Sequence, residues 1–215
     1  MNLQIKSFFK ELNKLQKLHG DPGLFPICGA GCTKNPKYFF LLMNPTARNV
    51  SAFSGWKGIR APWLGTKNIW RLIFQLGLLS EKTYKKPQSL KPSQWDNDFS
   101  TRLYQELAKN KVYLTSLAKC TQKDARPLPN RVFKEYFKQT RNEIYKTKPK
   151  CVISFGNQVS SIFLGKNVKV SDYQNSSEKI IINNRAFQVF PTYYPVGQGL
   201  RNMKLAIKRI KSINL

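Results

Sequence analysis

The chain has 215 residues, of which 41% are hydrophobic and 13% aromatic, and this composition excludes a disordered protein. It carries 37 Lys and Arg against 11 Asp and Glu, a formal net charge of +26. No acid occurs from Pro22 to Ser80, and none follows Glu178. A field of one sign attracts a polyanion, so the charge favours a nucleic-acid partner. A lysine-rich protein with solvated charges is the simpler explanation, but it accounts less well for the two acid-free stretches.

No apolar run approaches the roughly 20 residues needed to span a bilayer, and the first residues lack the apolar segment of a secretion signal. We therefore expect an intracellular protein, in the cytoplasm or nucleoid, without a membrane partner. The length predicts a single domain over 1–215, with an N-terminal helix over 1–20 packed on it, and we expect a monomer.

Hydrophobic periodicity predicts the elements in chain order. The predicted helices are 1–18, 67–79, one capped by Asp98, one capped by Asn130, 157–164 and 201–213. The predicted strands are 38–43, 111–115, 151–155, and a late hairpin or fourth strand over 180–182 and 187–190. Strands that alternate with helices imply a three-layer α/β/α sandwich around a central, mostly parallel four-stranded sheet. The Lys- and Pro-containing segment 82–97 is predicted to be a mobile surface loop.

The apolar run from Lys37 to Met43 stops abruptly at Asn44-Pro45-Thr46. The run predicts a strand buried on both faces. The residue before a proline leaves the helical region, and proline cannot donate to a ladder, so the strand ends there. Asn44 is therefore predicted at the carboxyl end of a core strand, where open α/β sheets bind ligands. A turn-capping role for an Asn before Pro is the alternative.

A second apolar run, Ala186 to Phe190, breaks in the same way at Pro191. The following residues, up to Gly199, are rich in aromatics, prolines and glycines, which predicts a stiff loop beside a strand end. One early loop and one late loop are thus expected to close over one cleft.

Three segments together resemble the uracil-DNA glycosylase superfamily. Met43-Asn44-Pro45-Thr46 is similar to the water-positioning motif of the mismatch-specific and single-strand-selective branches, and Ala61-Pro62-Trp63-Leu64-Gly65 to the aromatic turn that follows it. Three further stretches resemble the middle part of the sequences of the thermostable bacterial and archaeal branch: 112–120, 126–129 and 148–156. The loop 190–195 stands where the family has its His-Pro loop. The resemblance covers about 37–210 and rests on the order and spacing of the motifs.

The resemblance implies a monofunctional DNA glycosylase that flips uracil or another deaminated base out of DNA and hydrolyses its bond to the sugar, in base excision repair. Asn44 would orient the water, and Tyr194 would be the second catalytic residue, in contact with the edge of the base. Trp63 would stack on the base, and Ser116, Met43 and Pro45 would contact it. The implied DNA contacts are Thr46, Lys57, Arg60, Lys67, Pro195, Gly197, Gly199, Leu200, Arg201 and Lys204, with Leu200 or Arg201 as the wedge in the base stack. For Trp63, a place in the core beside Trp56 and Trp70 is the alternative.

Two departures from the family leave the function open. Tyr194 replaces the late-loop His, and the only histidine, His19, lies at the end of the first predicted helix. Tyrosine can donate a hydrogen bond but cannot become a cation. Ser116 stands where several branches have a uracil-reading Asn. The excised base is therefore uracil, hypoxanthine or another deaminated base, or the protein is a non-catalytic nucleic-acid binder on the same fold.

The thermostable branch also holds an iron–sulfur cluster on four cysteines, and Cys28, Cys32 and Cys120 resemble three of its ligands. Three residues separate the first two, where the family has two, and Tyr136 stands at the expected fourth position. Two predictions therefore stay open: no metal or cofactor, with ordinary reduced cysteines, or an iron–sulfur protein. The motif segments contain no paired acids, and a Ser-His-Asp triad would have only His19 available. The sequence shows no phosphate loop and no dinucleotide-binding fingerprint.

Overall fold

The computed structural model describes residues 3–125, 128–174 and 176–214. Within these ranges six strands form one sheet in the order β1-β3-β2-β4-β6-β5. The strands are β1 Ala30–Gly31, β2 Tyr38–Leu42, β3 Val112–Ser116, β4 Cys151–Phe155, β5 Glu178–Ile182 and β6 Arg185–Thr192. The four inner strands are parallel, while β1 and β5 pair antiparallel at the two edges. The predicted α/β fold with a mostly parallel sheet is confirmed, and the two edge strands extend the predicted four to six.

Helices cover both faces of this sheet. They are α1 Leu3–His19, α2 Asn68–Gln75, α3 Glu81–Ser89, α4 Asn97–Lys109, α5 Asn130–Glu135, α6 Phe137–Thr147, α7 Asn157–Leu164 and α8 Met203–Lys211. Along β2, Phe40 and Leu42 enter an apolar cluster shared with α2, α4 and α8. Phe39 and Leu41 enter a second cluster shared with α1, α6 and α7. Because both faces of β2 are buried, its sequence is apolar at every position.

Several helix boundaries differ from the predictions. Asp96, and not Asp98, caps α4, because its Oδ1 accepts a hydrogen bond from the Phe99 amide at 2.6 Å. Asn130 is the first residue of α5 and not its cap; its side chain accepts from Gln158 Nε2 at 3.0 Å. The single helix predicted from Asn130 is two helices, which meet at Tyr136. The last helix begins at Met203, after a 3-10 turn over Gly197–Asn202.

The prediction of a loop over 82–97 is wrong, because α3 occupies its first half and a 3-10 turn over Pro92–Gln94 follows. Ser80 caps α3 by accepting from the Thr83 amide at 3.3 Å. The Tyr84 ring stacks on Phe74 of α2, with ring centroids 4.2 Å apart and planes parallel to within 1°. This aromatic contact, the buried Pro87 and the hydrogen bond from Gln88 Nε2 to the carbonyl of Lys67 at 3.1 Å anchor a helix whose remaining residues are mostly polar.

The first helix contacts the rest of the molecule through Leu12 and Leu15, which belong to the second cluster. The single-domain organisation of the whole chain stays a prediction. Among the described residues, no helix combines the length and the apolar character that crossing a bilayer requires.

A buried ion pair ties the end of β3 to α6. The Lys119 side chain is fully buried, and its Nζ lies 2.7 Å from Glu143 Oε2 and 2.7 Å from Thr115 Oγ1. It also donates to the carbonyl of Ser116. Thr115 and Tyr113 donate to the same carboxylate at 3.2 and 3.3 Å. The charge of Lys119 is thus satisfied by three oxygens inside the protein.

Removing only one partner of this pair should destabilise the fold strongly. In Lys119→Met, Glu143 keeps a largely buried carboxylate without its cation, so we expect a loss of about 3–5 kcal/mol in the free energy of unfolding. The double variant Lys119→Met/Glu143→Met should recover much of that loss, because a buried pair replaced by apolar residues is close to neutral. Urea denaturation measures both, with the exposed Lys146→Met on α6 as the matched control. Equal stability of Lys119→Met and Lys146→Met would contradict the burial argument.

Candidate active site

The carboxyl ends of the four parallel strands lie at one edge of the sheet. Leu42 of β2 is in register with Ser116 of β3, and Phe155 of β4 with Thr192 of β6. Asn44 and Tyr194 each follow the last residue of a strand by two positions. The structure therefore brings the two predicted loops to the same edge, separated by β4 alone.

Asn44 is buried where β2 ends, and only one half of its carboxamide is used. Its Nδ2 donates to the carbonyl of Pro45 at 3.1 Å. Its oxygen, Oδ1, has no hydrogen-bond partner among the described residues. A fixed amide with a free acceptor can bind and orient a water molecule, since a neutral amide does not act as a strong base.

The segment that follows β3 holds this loop in place. The amides of Leu117 and Ala118 donate to the carbonyls of Leu42 and Met43 at 2.7 and 3.0 Å. The amide of Gln122 donates to Pro45 at 3.0 Å, and Thr46 forms a parallel bridge with Gln122. The two neighbouring chains therefore stay paired beyond the sheet.

Ser116 lies at the start of this paired segment and is buried, with a relative exposure of 3%. Its position opposite Leu42 places it next to the Asn44 loop. Its contact with a base stays a prediction. Met43 is half-buried and Pro45 is buried in the same loop.

Trp63 lies in a turn at the end of the loop formed by residues 53–62. Its φ angle is 66°, a left-handed conformation that is uncommon for a bulky residue. Its side chain is partly buried and packs on the first cluster, together with Trp56 and Tyr194. Trp70, by contrast, is fully buried in that cluster. Trp63 thus packs, partly exposed, on the same apolar cluster as Tyr194.

Two residues that the sequence reasoning missed hold this turn. Asn49 Nδ2 donates to the carbonyl of Ala61 at 2.8 Å, while its Oδ1 accepts from the amide of Ser51 at 3.0 Å. The hydroxyl of Ser51 also donates to Ala61, at 3.1 Å. Both side chains are buried, so they connect the turn after Asn44 to the turn that carries Trp63. The Asn-x-Ser pattern, typical of local capping turns, was the available signal.

The late loop packs closely on itself. A Cβ added to Gly199 would lie 2.1 Å from the carbonyl oxygen of Tyr194, so only glycine fits there. Gly156, at φ 87° before α7, lies against the Tyr194 side chain, whose Cβ would be 3.4 Å from an added Cβ. Burial raises the pKa of the Tyr194 hydroxyl, which keeps it protonated and able to donate.

The predicted DNA contacts differ in how accessible they are. Arg60 already donates from Nη1 to Phe53 at 3.1 Å and to Ser51, and Lys67 Nζ donates to the carbonyl of Gln88 at 2.7 Å. Pro195 is buried and Thr46 and Gly199 are half-buried. The exposed ones are Lys57, Lys67, Gly197, Leu200, Arg201 and Lys204. Their contacts with DNA stay predictions.

Comparison with known families decides the kinship of this arrangement. The family model of the uracil DNA glycosylase superfamily matches residues 28–213, nearly the whole chain. The chain belongs to the uracil-DNA glycosylase superfamily. A search of curated proteins found no match. The family resemblance is thereby confirmed, and it supports a uracil-DNA glycosylase-like function in general, with DNA as the substrate.

The sequence has one histidine, His19, and it lies in neither of the two loops. The His19 ring, at the end of α1, lies 2.9 Å from Glu135 Oε2, so it is engaged by a carboxylate outside the two loops. The late loop offers a tyrosine hydroxyl in place of an imidazole. A donor is thus present at that loop, but no group that becomes a cation near neutral pH.

The cysteines do not fit a four-thiolate cluster. Across 3–125, 128–174 and 176–214, no group of three His, Cys, Asp or Glu residues is placed to hold a metal ion. Cys32 donates from Sγ to the carbonyl of Lys34 at 3.3 Å, and Cys151 lies in β4. Tyr136, at the expected fourth position, has a buried hydroxyl whose pKa is raised by burial and by the neighbouring Cys120. A protonated phenol does not replace a thiolate ligand.

Asn49 gives a direct test of the loop network. Asn49→Ala leaves the carbonyl of Ala61 and the amide of Ser51 with fewer partners in a buried place, so the free energy of unfolding should fall by about 1–3 kcal/mol. Chemical denaturation measures the change, and the exposed Ser54→Ala in the same loop is the control. If both variants unfold at the same denaturant concentration, the network does not stabilise the turn.

Cys28 gives a test of the cysteine environment. Burial raises the pKa of the Cys28 thiol to about 12, with the Glu143 carboxylate adding to the effect. Because only the thiolate reacts, alkylation by iodoacetamide at pH 8 should be roughly 100- to 1,000-fold slower than for an ordinary thiol. Mass spectrometry of tryptic peptides gives the rate, and the same peptide in denaturant is the control. Rapid alkylation in the folded protein would contradict the raised pKa.

Proposed function

We propose that this protein is a monofunctional DNA glycosylase that hydrolyses the N-glycosidic bond of uracil or another deaminated base in DNA. The Oδ1 of Asn44, which no described residue engages, lies at the sheet edge that also carries the Tyr194 loop, and this observation supports the proposal most directly. Water is the only co-substrate, so the reaction needs no metal or cofactor. The protein would act inside the cell, in base excision repair.

In this reaction the target nucleotide leaves the base stack and binds at the carboxyl edge of the sheet, between the Asn44 loop and the Tyr194 loop. Asn44 Oδ1 accepts a hydrogen bond from a water molecule. This bond orients the water so that a lone pair of the water oxygen faces the sugar carbon. Because an amide cannot remove a proton efficiently, the bond to the base breaks ahead of water attack. The sugar then carries positive charge in the transition state, and the DNA phosphates beside it stabilise that charge.

The leaving base departs as an anion and needs hydrogen-bond donors. The Tyr194 hydroxyl, which its raised pKa keeps protonated, and the Ser116 hydroxyl are the side-chain donors that we assign to this role. Neutral donors stabilise an anion less than a cationic imidazole does. We therefore expect a slower enzyme than one with a late-loop histidine.

The remaining roles concern the DNA around the target. Trp63 stacks on the flipped base, and the exposed Leu200 or its neighbour Arg201 fills the gap in the stack. Lys57, Lys67, Arg201 and Lys204 contact phosphates, which position the duplex without reading its sequence. Each phosphate contact removed should lower the salt dependence of binding by roughly one unit of slope.

One observation favours a second candidate, a non-catalytic binder of damaged DNA. The late loop presents tyrosine where the superfamily has histidine, so leaving-group stabilisation is weakened at the position that matters most. Binding by Trp63 stacking and phosphate contacts does not depend on that histidine.

A panel of oligonucleotides separates the two candidates. Single- and double-stranded DNA carrying uracil, hypoxanthine or xanthine is incubated with the protein, and strand scission at abasic sites is measured after alkali. We expect cleavage for at least one base, reduced about 100-fold or more in Asn44→Ala because the water is no longer oriented. DNA affinity should stay unchanged in that variant, and the exposed Asn142→Ala on α6 is the matched control. Intact oligonucleotides across the panel, with tight binding, would support the binder.

A further inference from the structure

Two aromatic rings that the proposed reaction does not use are exposed on chains that hydrogen bonds connect to the Asn44 loop. Phe25 and Phe53 have relative exposures of 41% and 45%. Their chains are paired, because the amide of Phe25 donates to the carbonyl of Ala52 at 2.8 Å and Leu24 forms an antiparallel bridge with Phe53. The two rings therefore come from adjacent, hydrogen-bonded chains.

Arg60 is fixed between these two chains. Its Cζ lies 4.1 Å from the centroid of the Phe25 ring, and its Nη1 donates to the carbonyls of Ser51 and Phe53. A guanidinium held by two carbonyls and a ring loses little further freedom on binding. We call Phe25, Phe53 and Arg60 the aromatic platform.

Hydrogen bonds fix the distance of the aromatic platform from Asn44. The chain at Phe25 pairs with the chain at Thr121, whose hydroxyl donates to the Phe25 carbonyl at 2.6 Å, and Ile27 donates to Lys119 at 3.0 Å. The chain at Thr121 pairs in turn with the Asn44 loop through Gln122 and Pro45. One chain thus lies between them, which places Phe25 roughly 10 Å from the Asn44 loop at the usual spacing of hydrogen-bonded chains. A strand bound at Asn44 reaches that far within a few nucleotides.

The chemistry of the aromatic platform fits one occupant. An aromatic face stacks on a nucleobase only when that base is unpaired, and a stacked guanidinium adds a cation above the ring. The platform lies in the stretch from Pro22 to Ser80, which contains no acid, and Arg48 and Lys57 are exposed in the same stretch. An isolated exposed ring has no such surroundings.

We propose that the aromatic platform stacks on an unpaired base of the target strand, a few nucleotides from the flipped one, so that the protein prefers single-stranded or frayed DNA to an intact duplex. The inference rests on the proposed function, because it takes Asn44 as the point where the target nucleotide binds. It adds a second contact to the strand and a substrate preference that the catalytic residues do not determine.

The test replaces the rings without emptying their places. Phe25→Leu and Phe53→Leu keep apolar side chains but remove the aromatic faces. We expect the double variant to bind single-stranded DNA without any damaged base about tenfold more weakly, since stacking one base contributes on this scale. Binding to a fully paired duplex of the same sequence should change less than twofold. Fluorescence anisotropy at fixed salt measures both, and thermal melting shows that the variant is folded.

Phe9→Leu on α1 is the matched control, because its ring is exposed to a similar extent, 44%. Equal loss of single-strand affinity in the control and the double variant, or equal loss on duplex and single strand, would overturn the proposal. Because undamaged DNA is used, the result does not depend on excision. Selective loss of single-strand binding without base excision would keep the aromatic platform and reject the glycosylase; excision with unaltered single-strand binding would do the reverse.

Discussion

The candidate site depends on hydrogen bonds that continue the pairing of β2 and β3 beyond the sheet. After Leu42 the chain turns through Asn44 and Pro45 in a buried place, where its carbonyls need donors. The segment after β3 supplies them from three backbone amides, those of Leu117, Ala118 and Gln122. The ion pair of Lys119 with Glu143 joins the same segment to α6 and stabilises it. The carboxamide of Asn44 is consequently held by the backbone around it, and its Oδ1 has no partner in the part of the chain that the structure describes.

The position of Asn44 could be predicted from the sequence because its causes are local. A continuous apolar run gives a doubly covered strand, and a proline ends it at a definite residue. The placement of the Asn44 and Tyr194 loops at the same edge followed from topology alone, since parallel strands joined by helices end at one edge. These two inferences correctly placed both loops at the carboxyl edge of the sheet. The chemistry between the loops still rests on the family resemblance, and the role of each residue stays a prediction.

The parts that could not be predicted are contacts between residues far apart in the chain. In the sequence, Lys119 and Glu143 are typical of two separate surface charges. The structure shows that they form a largely buried ion pair. The lysines and the proline of α3 predicted a loop, because the contacts that hold this helix, such as the Tyr84 ring on Phe74 and Gln88 on the carbonyl of Lys67, join residues far apart in the chain. The break of the predicted helix at Tyr136 likewise depends on how α5 and α6 pack, which periodicity does not record. The pair Asn49 and Ser51 had a recognisable local pattern, but its partner, the carbonyl of Ala61, lies ten or more residues away.

The left-handed backbone of Trp63 has a consequence for how the protein responds to heat. A bulky residue at φ 66° is disfavoured by about 1–2 kcal/mol relative to a right-handed one, so the surrounding turn must oppose a constant tendency to relax. Segments under such strain open at lower temperature than the sheet beneath them. Warming should therefore release the indole from its place while the α/β framework is still intact, and the temperature limit of the working protein would be set by one turn and not by its core.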